Sequence, residues 1–196
     1  MSQQTFIITG RSGCGKGTQA KLLIEYIEKQ FSDSPVRYLE SGDKFRNFLK
    51  EPGYTQDLSR AIMKSGNLQP SFLAVHIWSH LMIEIMQGNE HLVMDGTPRT
   101  LSEAMVLDSA MQFYGRTKPI VLYLNVSREW SKARLAGRGR ADDISENEVE
   151  KRLNWFDGEV VPAIEYLKKN ELYNFIEING EQTIEEVQKE IIEKCF

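Results

Sequence analysis

The chain has 196 residues, 41% of them hydrophobic, which suffices for one domain with a real core and not for two large ones. Its formal net charge of −4 sets aside a nucleic-acid or membrane-surface partner as the expectation from bulk composition. Two cysteines, Cys14 and Cys195, without CxxC or His spacing argue against a disulfide framework and a structural zinc, and for a reducing, cytoplasmic setting.

Met1–Thr5 lacks the charged and apolar regions of a signal peptide, and no apolar run approaches the ~20 residues that span a bilayer. Thr5–Thr9 (TFIIT) is β-branched and aromatic, ends at Gly10, and predicts a buried strand. From Lys16 the spacing becomes helical, with Ala20, Leu23, Ile24 and Ile27 on one side. Val36–Leu39 predicts a second strand closing at Ser41-Gly42-Asp43. Helices then fill most of Asp43–Met86, broken near Pro52-Gly53 and Gly66–Pro70. His91–Met94 is a third strand ending at Asp95-Gly96, a helix starts near Thr100, and Ile120–Asn125 is a fourth strand. Arg128–Leu135 is helical, a Gly/Arg-rich stretch follows, and one long helix is expected from about Ser145 to Lys169. Asn174–Ile178 is a fifth strand and Ile184–Lys194 a last amphipathic helix. This alternation predicts a single α/β domain with a mainly parallel sheet, whose ligand sits at the carboxyl ends of its strands.

The loop Gly10-Arg11-Ser12-Gly13-Cys14-Gly15-Lys16-Gly17-Thr18 follows a strand and opens a helix, as a phosphate loop does. Glycines let successive N–H groups turn inward onto phosphate oxygens, and the helix N-terminus adds its positive end. Lys16 reaches the β- and γ-phosphates as a mobile point charge. The usual hydroxyl after the lysine arrives one position late, at Thr18, where it stands near a metal held through water. Asp95 ends an apolar strand and is read as the carboxylate that holds Mg²⁺ through waters. The bland alternative is a strand-end turn cap.

GRSGCGKGTQAKLL resembles the opening of the adenylate kinases and their nucleoside-monophosphate-kinase relatives. Asp95-Gly96-Thr97-Pro98-Arg99-Thr100, Ser41-Gly42-Asp43-Lys44-Phe45-Arg46, Gly139-Arg140-Ala141-Asp142-Asp143 with Lys151-Arg152-Leu153, and Val161–Tyr166 resemble further elements of that family, in its order. The resemblance covers nearly the whole chain. It implies a P-loop kinase fold with a five-stranded parallel sheet, a helical acceptor-binding segment at about 41–70 and a minimal lid at about 137–143.

It also implies roles. Gly13, Cys14, Gly15, Lys16, Gly17, Thr18, Arg134, Arg138 and Gln182 would bind ATP, with Arg134 over its adenine. Ser41, Gly42, Arg46, Asn67, Leu68, Gln69, Gly96, Arg99, Glu103, Arg140 and Arg152 would bind the acceptor monophosphate, AMP in the first instance. Lys16, Arg99, Arg138, Arg140 and Arg152 would act on the transferring group. A monophosphate attacks with an oxygen that is already anionic, so arginines suffice and no base is required. Arg60, Arg116 and Arg128 match no motif and are read as solvated surface charges.

Departures leave alternatives open. Thr97 replaces a phenylalanine, and Glu103 stands where adenylate kinases carry glutamine. Glu103 either points to solvent, contacts adenine, or accepts from the two N–H donors of guanine. The alternatives to an AMP kinase are therefore a kinase for GMP or a pyrimidine monophosphate and, from another class, a nucleotide-binding sensor. His76 and His80 read as ordinary helix residues, and Cys14 as a small loop residue, the alternative being a modifiable thiol whose pKa Lys16 and the helix N-terminus lower. ATP/ADP and a nucleoside monophosphate are the expected partners, and a monomer the expected state.

Overall fold

Strand β1 (Thr5–Gly10) lies at the centre of the fold, and the computed structural model describes the chain over residues 3–137 and 146–196. Helix α1 (Lys16–Gln30) follows, then β2 (Val36–Glu40), α2 (Ser41–Phe48), α3 (Tyr54–Lys64), α4 (Ser71–Ile85) and β3 (His91–Asp95). The second half runs α5 (Leu101–Phe113), β4 (Ile120–Asn125), α6 (Arg128–Ala136), α7 (Glu146–Trp155), α8 (Val161–Lys169), β5 (Asn174–Asn179) and α9 (Ile184–Cys195). All strand pairs are parallel, in the order β2-β3-β1-β4-β5.

Alternation along the strands splits the core into two layers. Phe6 and Ile8 face one side with Ala20, Leu23, Ile27, Leu122, Leu124, Val187 and Ile191, so α1 and α9 cover that face. Ile7 and Val121 face the other, with Trp78 and Met82 of α4, Leu107 and Met111 of α5, and Ala163 and Leu167 of α8. The adjacent strands β1 and β3 thus send their chains to opposite faces, which opens a crevice beyond their carboxyl ends.

The expected single helix from Ser145 to Lys169 is corrected here. Over the described residues, a π-helical turn, Phe156–Val160, separates α7 from α8. Its wider ring lets Phe156 and Val160 bury together with Ile164 in a small cluster against Tyr123 and Phe175.

Arg116 is also not a solvated surface charge: it is 7% exposed and ion-paired with the fully buried Glu90. Its Nη1 donates to the Glu90 carbonyl at 2.8 Å, and the Glu90 carboxylate accepts from the backbone N–H groups of Gln87 and Gly88. Arg60 and Arg128 stay partly exposed, Arg60 donating to the Leu49 carbonyl and Arg128 bonding Glu150.

Candidate active site

The carboxyl ends of β1, β2 and β3 open into one cleft of about 960 Å³. Every described residue assigned a role from the sequence lines it. Arg138 and Arg140, with lid positions 138–143, lie outside the described residues.

At the donor end, Gly10 has φ +145°, and a Cβ there would stand 2.5 Å from the Leu124 carbonyl oxygen and 2.8 Å from Cys14 Sγ. Only glycine can carry the chain from β1 past β4 into the loop. Gly15 is the N-cap of α1, in the left-handed region at φ 98°, and no side chain caps that terminus. The first N–H groups of α1 therefore remain for an anion. Lys16 Nζ donates to the carbonyls of Gly10 at 2.8 Å and Arg11 at 2.9 Å, inside the curve of the loop. The loop rests on α6: Ser131 Oγ donates to the Ser12 carbonyl at 2.5 Å. The Arg134 guanidinium lies 4.9 Å over the Trp130 ring, and with Gly180 and Gln182 these residues wall the outer donor side.

Cys14 is 5% exposed, and burial pushes its thiol up more strongly than Lys16 draws it down. Cys14 is thereby the small packed loop residue that the sequence suggested, and not an activated thiol.

Asp95 forms the floor. Tyr38 donates from its hydroxyl to Oδ2 at 3.2 Å, and a Cβ on Gly17 would lie 3.5 Å from the same oxygen. The carboxylate thus sits directly beneath the start of α1. Burial and the neighbouring carboxylates Asp95 and Glu40 hold the Tyr38 phenol protonated far above its usual range, so it stays a donor to Asp95. A single carboxylate with Thr18 in the same cleft suits Mg²⁺, which keeps its waters and binds mainly through nucleotide phosphates. Among the described residues no His/Cys/Asp/Glu cluster offers a fuller protein cage.

At the acceptor end two arginines converge. The site a Cβ would take on Gly42 lies 3.3 Å from Arg46 Nη1 and 3.8 Å from Arg99 Nη2. A Cβ on Gly96 would come within 3.2 Å of both Arg99 Nη2 and Ser41 Oγ. These two glycines leave the space in which the guanidiniums meet. Arg99 is oriented by donating from Nε to the Gly96 carbonyl at 2.7 Å, and Ser41 Oγ ties α2 to β3 through the Asp95 and Gly96 carbonyls. Arg46 is held by Glu40 at 3.2 Å and Asp43 at 3.3 Å. Arg152 reaches the same cleft from α7, and Asn67, Leu68 and Gln69 close it from the loop after α3. Lys151 donates to the Ser65 carbonyl at 2.8 Å, tying α7 to that loop.

Glu103 does not point to solvent: it is 2% exposed. Thr97 Oγ1 donates to Oε2 at 3.2 Å and Thr100 Oγ1 to Oε1 at 3.3 Å. The two departures at 97 and 103 are therefore partners, since the Thr97 hydroxyl satisfies the carboxylate that Glu103 introduces. Burial still raises the Glu103 carboxyl above its usual range, against the charge of Arg99. Glu103 in turn is the leading counter-charge that opposes the downward pull of burial on the Arg99 guanidinium.

Sequence reasoning missed two participants, Tyr38 and Trp130. A tyrosine on β2 and a tryptophan on α6 carry no motif of their own. Only the strand register and helix packing bring them to the cleft. His76 and His80 stack on α4 at 5.8 Å, and His80 contacts Glu84.

A cleft with an anion-binding loop at one end and a guanidinium pair at the other suits two phosphorylated ligands end to end, which is the arrangement of a P-loop phosphotransferase. The adenylate kinase family profile matches residues 8–172, and the chain belongs to that family. Adenylate kinase 1 of Nostoc sp. is 29% identical over 185 residues, covering 94% of this chain and 95% of the relative. The adenylate kinase of Oenococcus oeni is 30% identical, with 92% and 93% covered, and that of Porphyromonas gingivalis 30% identical, with 92% and 90% covered. The chain is accordingly a phosphotransferase of the nucleoside monophosphate kinase type. Among the described residues no helix is long and apolar enough to cross a membrane.

Proposed function

We propose that this enzyme transfers the γ-phosphate of ATP to AMP, giving two ADP, by direct in-line attack of an acceptor phosphate oxygen. The observation that carries this reading is the meeting of Arg46 and Arg99 over Gly42 and Gly96, beside Asp95 and within the same cleft as Lys16.

The chain's own groups account for each requirement of the reaction. The loop from Gly13 to Thr18 and the start of α1 bind the donor phosphates, with Lys16 on the β- and γ-phosphates. Trp130, Arg134 and Gln182 enclose the donor base. Arg46 and Arg99 grip the acceptor phosphate in forked hydrogen bonds, which bind and orient the nucleophile. Arg152, together with Arg138 and Arg140, stabilises charge on the transferring group. Asp95, with Thr18, would hold Mg²⁺ through water. Bound with ATP, the ion would supply charge neutralisation of the donor phosphates. No side-chain base is required, because the acceptor oxygen carries its charge already.

AMP as acceptor is supported by the named activity of the relatives and by Glu103, whose carboxylate is engaged by Thr97 and Thr100 rather than presented as two free acceptors to guanine. The acceptor segment is taken as 41–70 and the lid as 137–143 of a single domain. The enzyme is taken to act as a monomer, and two free cysteines fit a reducing cytoplasm.

The test is ADP formation from Mg-ATP with AMP, GMP, CMP, UMP and dTMP offered separately. The expected result is strong preference for AMP. Preference for GMP would return Glu103 to the role of a guanine reader, and no turnover with any acceptor would leave a nucleotide-binding sensor.

A further inference from the structure

Arg11, the second residue of the phosphate loop, does not line the cleft. Its side chain is 15% exposed, its Nη2 lies 2.6 Å from Asp157 Oδ1, and its guanidinium sits 4.3 Å over the Phe156 ring. Phe156 and Asp157 are the first two residues of the π-helical turn that ends α7. Arg11 Nε and Nη1 are buried without hydrogen-bond partners, so the Asp157 carboxylate and the Phe156 face are what compensate a largely desolvated cation.

The contact does not stop there. Asp157 Oδ2 also accepts from Arg128 Nη1 at 3.0 Å, and Arg128 Nη2 donates to Glu150 at 2.6 Å and Asn154 at 2.7 Å. Lys132 meets the other Glu150 oxygen at 2.8 Å. A chain of alternating charges thus links the phosphate loop, the π-turn and α6 to α7, and α7 carries Arg152 one helical turn before Phe156.

We propose that Arg11 is a positioning residue for phosphoryl transfer: by clamping Phe156 and Asp157 it sets the register of α7 against the phosphate loop and so places Arg152 on the transferring group. This rests on the role given to Arg152 above. A displacement of about 1 Å in such a group costs on the order of 10²-fold in rate. Charge stabilised during transfer appears in kcat, whereas ground-state grip appears in KM.

The experiment is steady-state kinetics of the full chain with Mg-ATP and AMP for Arg11→Met, Arg152→Met and the double variant. Methionine keeps the bulk against Phe156 and removes the charge. We expect Arg11→Met to lower kcat about 10-fold with both KM values within about twofold, and Arg152→Met to lower it about 100-fold. The double variant should be no slower than Arg152→Met alone, because the two act as a unit. Asp157→Asn, which leaves the loop sequence intact, should reproduce the kcat loss. Multiplying losses in the double variant would overturn the proposal, as would a raised KM for ATP at unchanged kcat. A partly unfolded Arg11→Met protein would also give multiplying losses, so the cycle excludes a merely structural effect. Wild-type rates for Arg152→Met would remove the role of Arg152 and this inference with it, whereas multiplying losses remove this inference alone.

Discussion

The two ends of the cleft are built differently. The donor end hangs on β1 and β3, in which every residue is buried. The acceptor end is carried by α2, with no buried residue, and α3, with Ser59 alone. Tyr54 and Leu58 on α3 are 79% and 50% exposed. The acceptor helices are instead fastened by polar links such as Arg60 to the Leu49 carbonyl, Gln69 to the Ser59 carbonyl and Lys151 to the Ser65 carbonyl. Segments with few buried apolar contacts open at low free-energy cost, and segments in the sheet open only with the whole domain. The phosphate loop is thereby anchored on the half that opens last, and Arg46 on the half that moves cheaply.

Substitutions can break or sharpen that contrast. The largest effect is expected from Ile8→Ala, at a fully buried position of β1, which should lower unfolding free energy by about 2–5 kcal/mol in a urea titration. A loss below about 1 kcal/mol would mean the sheet is not the rigid half. Next, Arg46→Met should raise the KM for AMP roughly 10–100-fold, as loss of charge-assisted bonds of about 1.5–3 kcal/mol implies, with KM for ATP unchanged. A matched rise in both would show that the two ends are not separable.

A smaller effect is expected at Glu103. Its carboxyl titrates above the ordinary 4.5 in the folded protein because burial outweighs Arg99 and the two threonine donors. With the folded pKa above the unfolded one, its favourable contribution is complete below the unfolded pKa and lost as pH rises through the folded pKa. Glu103→Gln removes the buried charge, so its Tm relative to the parent should be higher at pH 7.5 than at pH 4. Equal differences at both values would show that Arg99 and the two threonine donors fully offset burial. The smallest effect belongs to Leu58→Ala, which should fall within about 0.5 kcal/mol of the parent on the exposed face of α3.

Much of this architecture was legible in the sequence. β-Branched runs placed the strands to within a residue or two, because central parallel strands are buried on both faces and show it in composition. The phosphate loop and the arginines were legible because phosphate chemistry demands those residue types at close spacing. The π-turn was not, since Trp155–Val161 has helical periodicity and the extra residue shows only in how Phe156 and Val160 pack. The burial of Glu103 was equally hidden. A first-turn acid is favoured by the helix dipole whether it faces water or protein, and only the Thr97 hydroxyl decides between them. Arg11 lay in plain sight within the loop, but its partner comes from a distant helix and no local pattern names it.

The pairing of Arg116 with Glu90 at the opposite end of β3 bears on how this sequence can drift. Truncating either partner strands a desolvated charge, at a cost of about 3–5 kcal/mol, comparable with the whole margin of a small domain. Replacing both with well-packed apolar side chains is close to neutral. Positions 90 and 116 are therefore joined by a valley that single steps cannot cross, and descendants of this protein should keep both charges or lose both together.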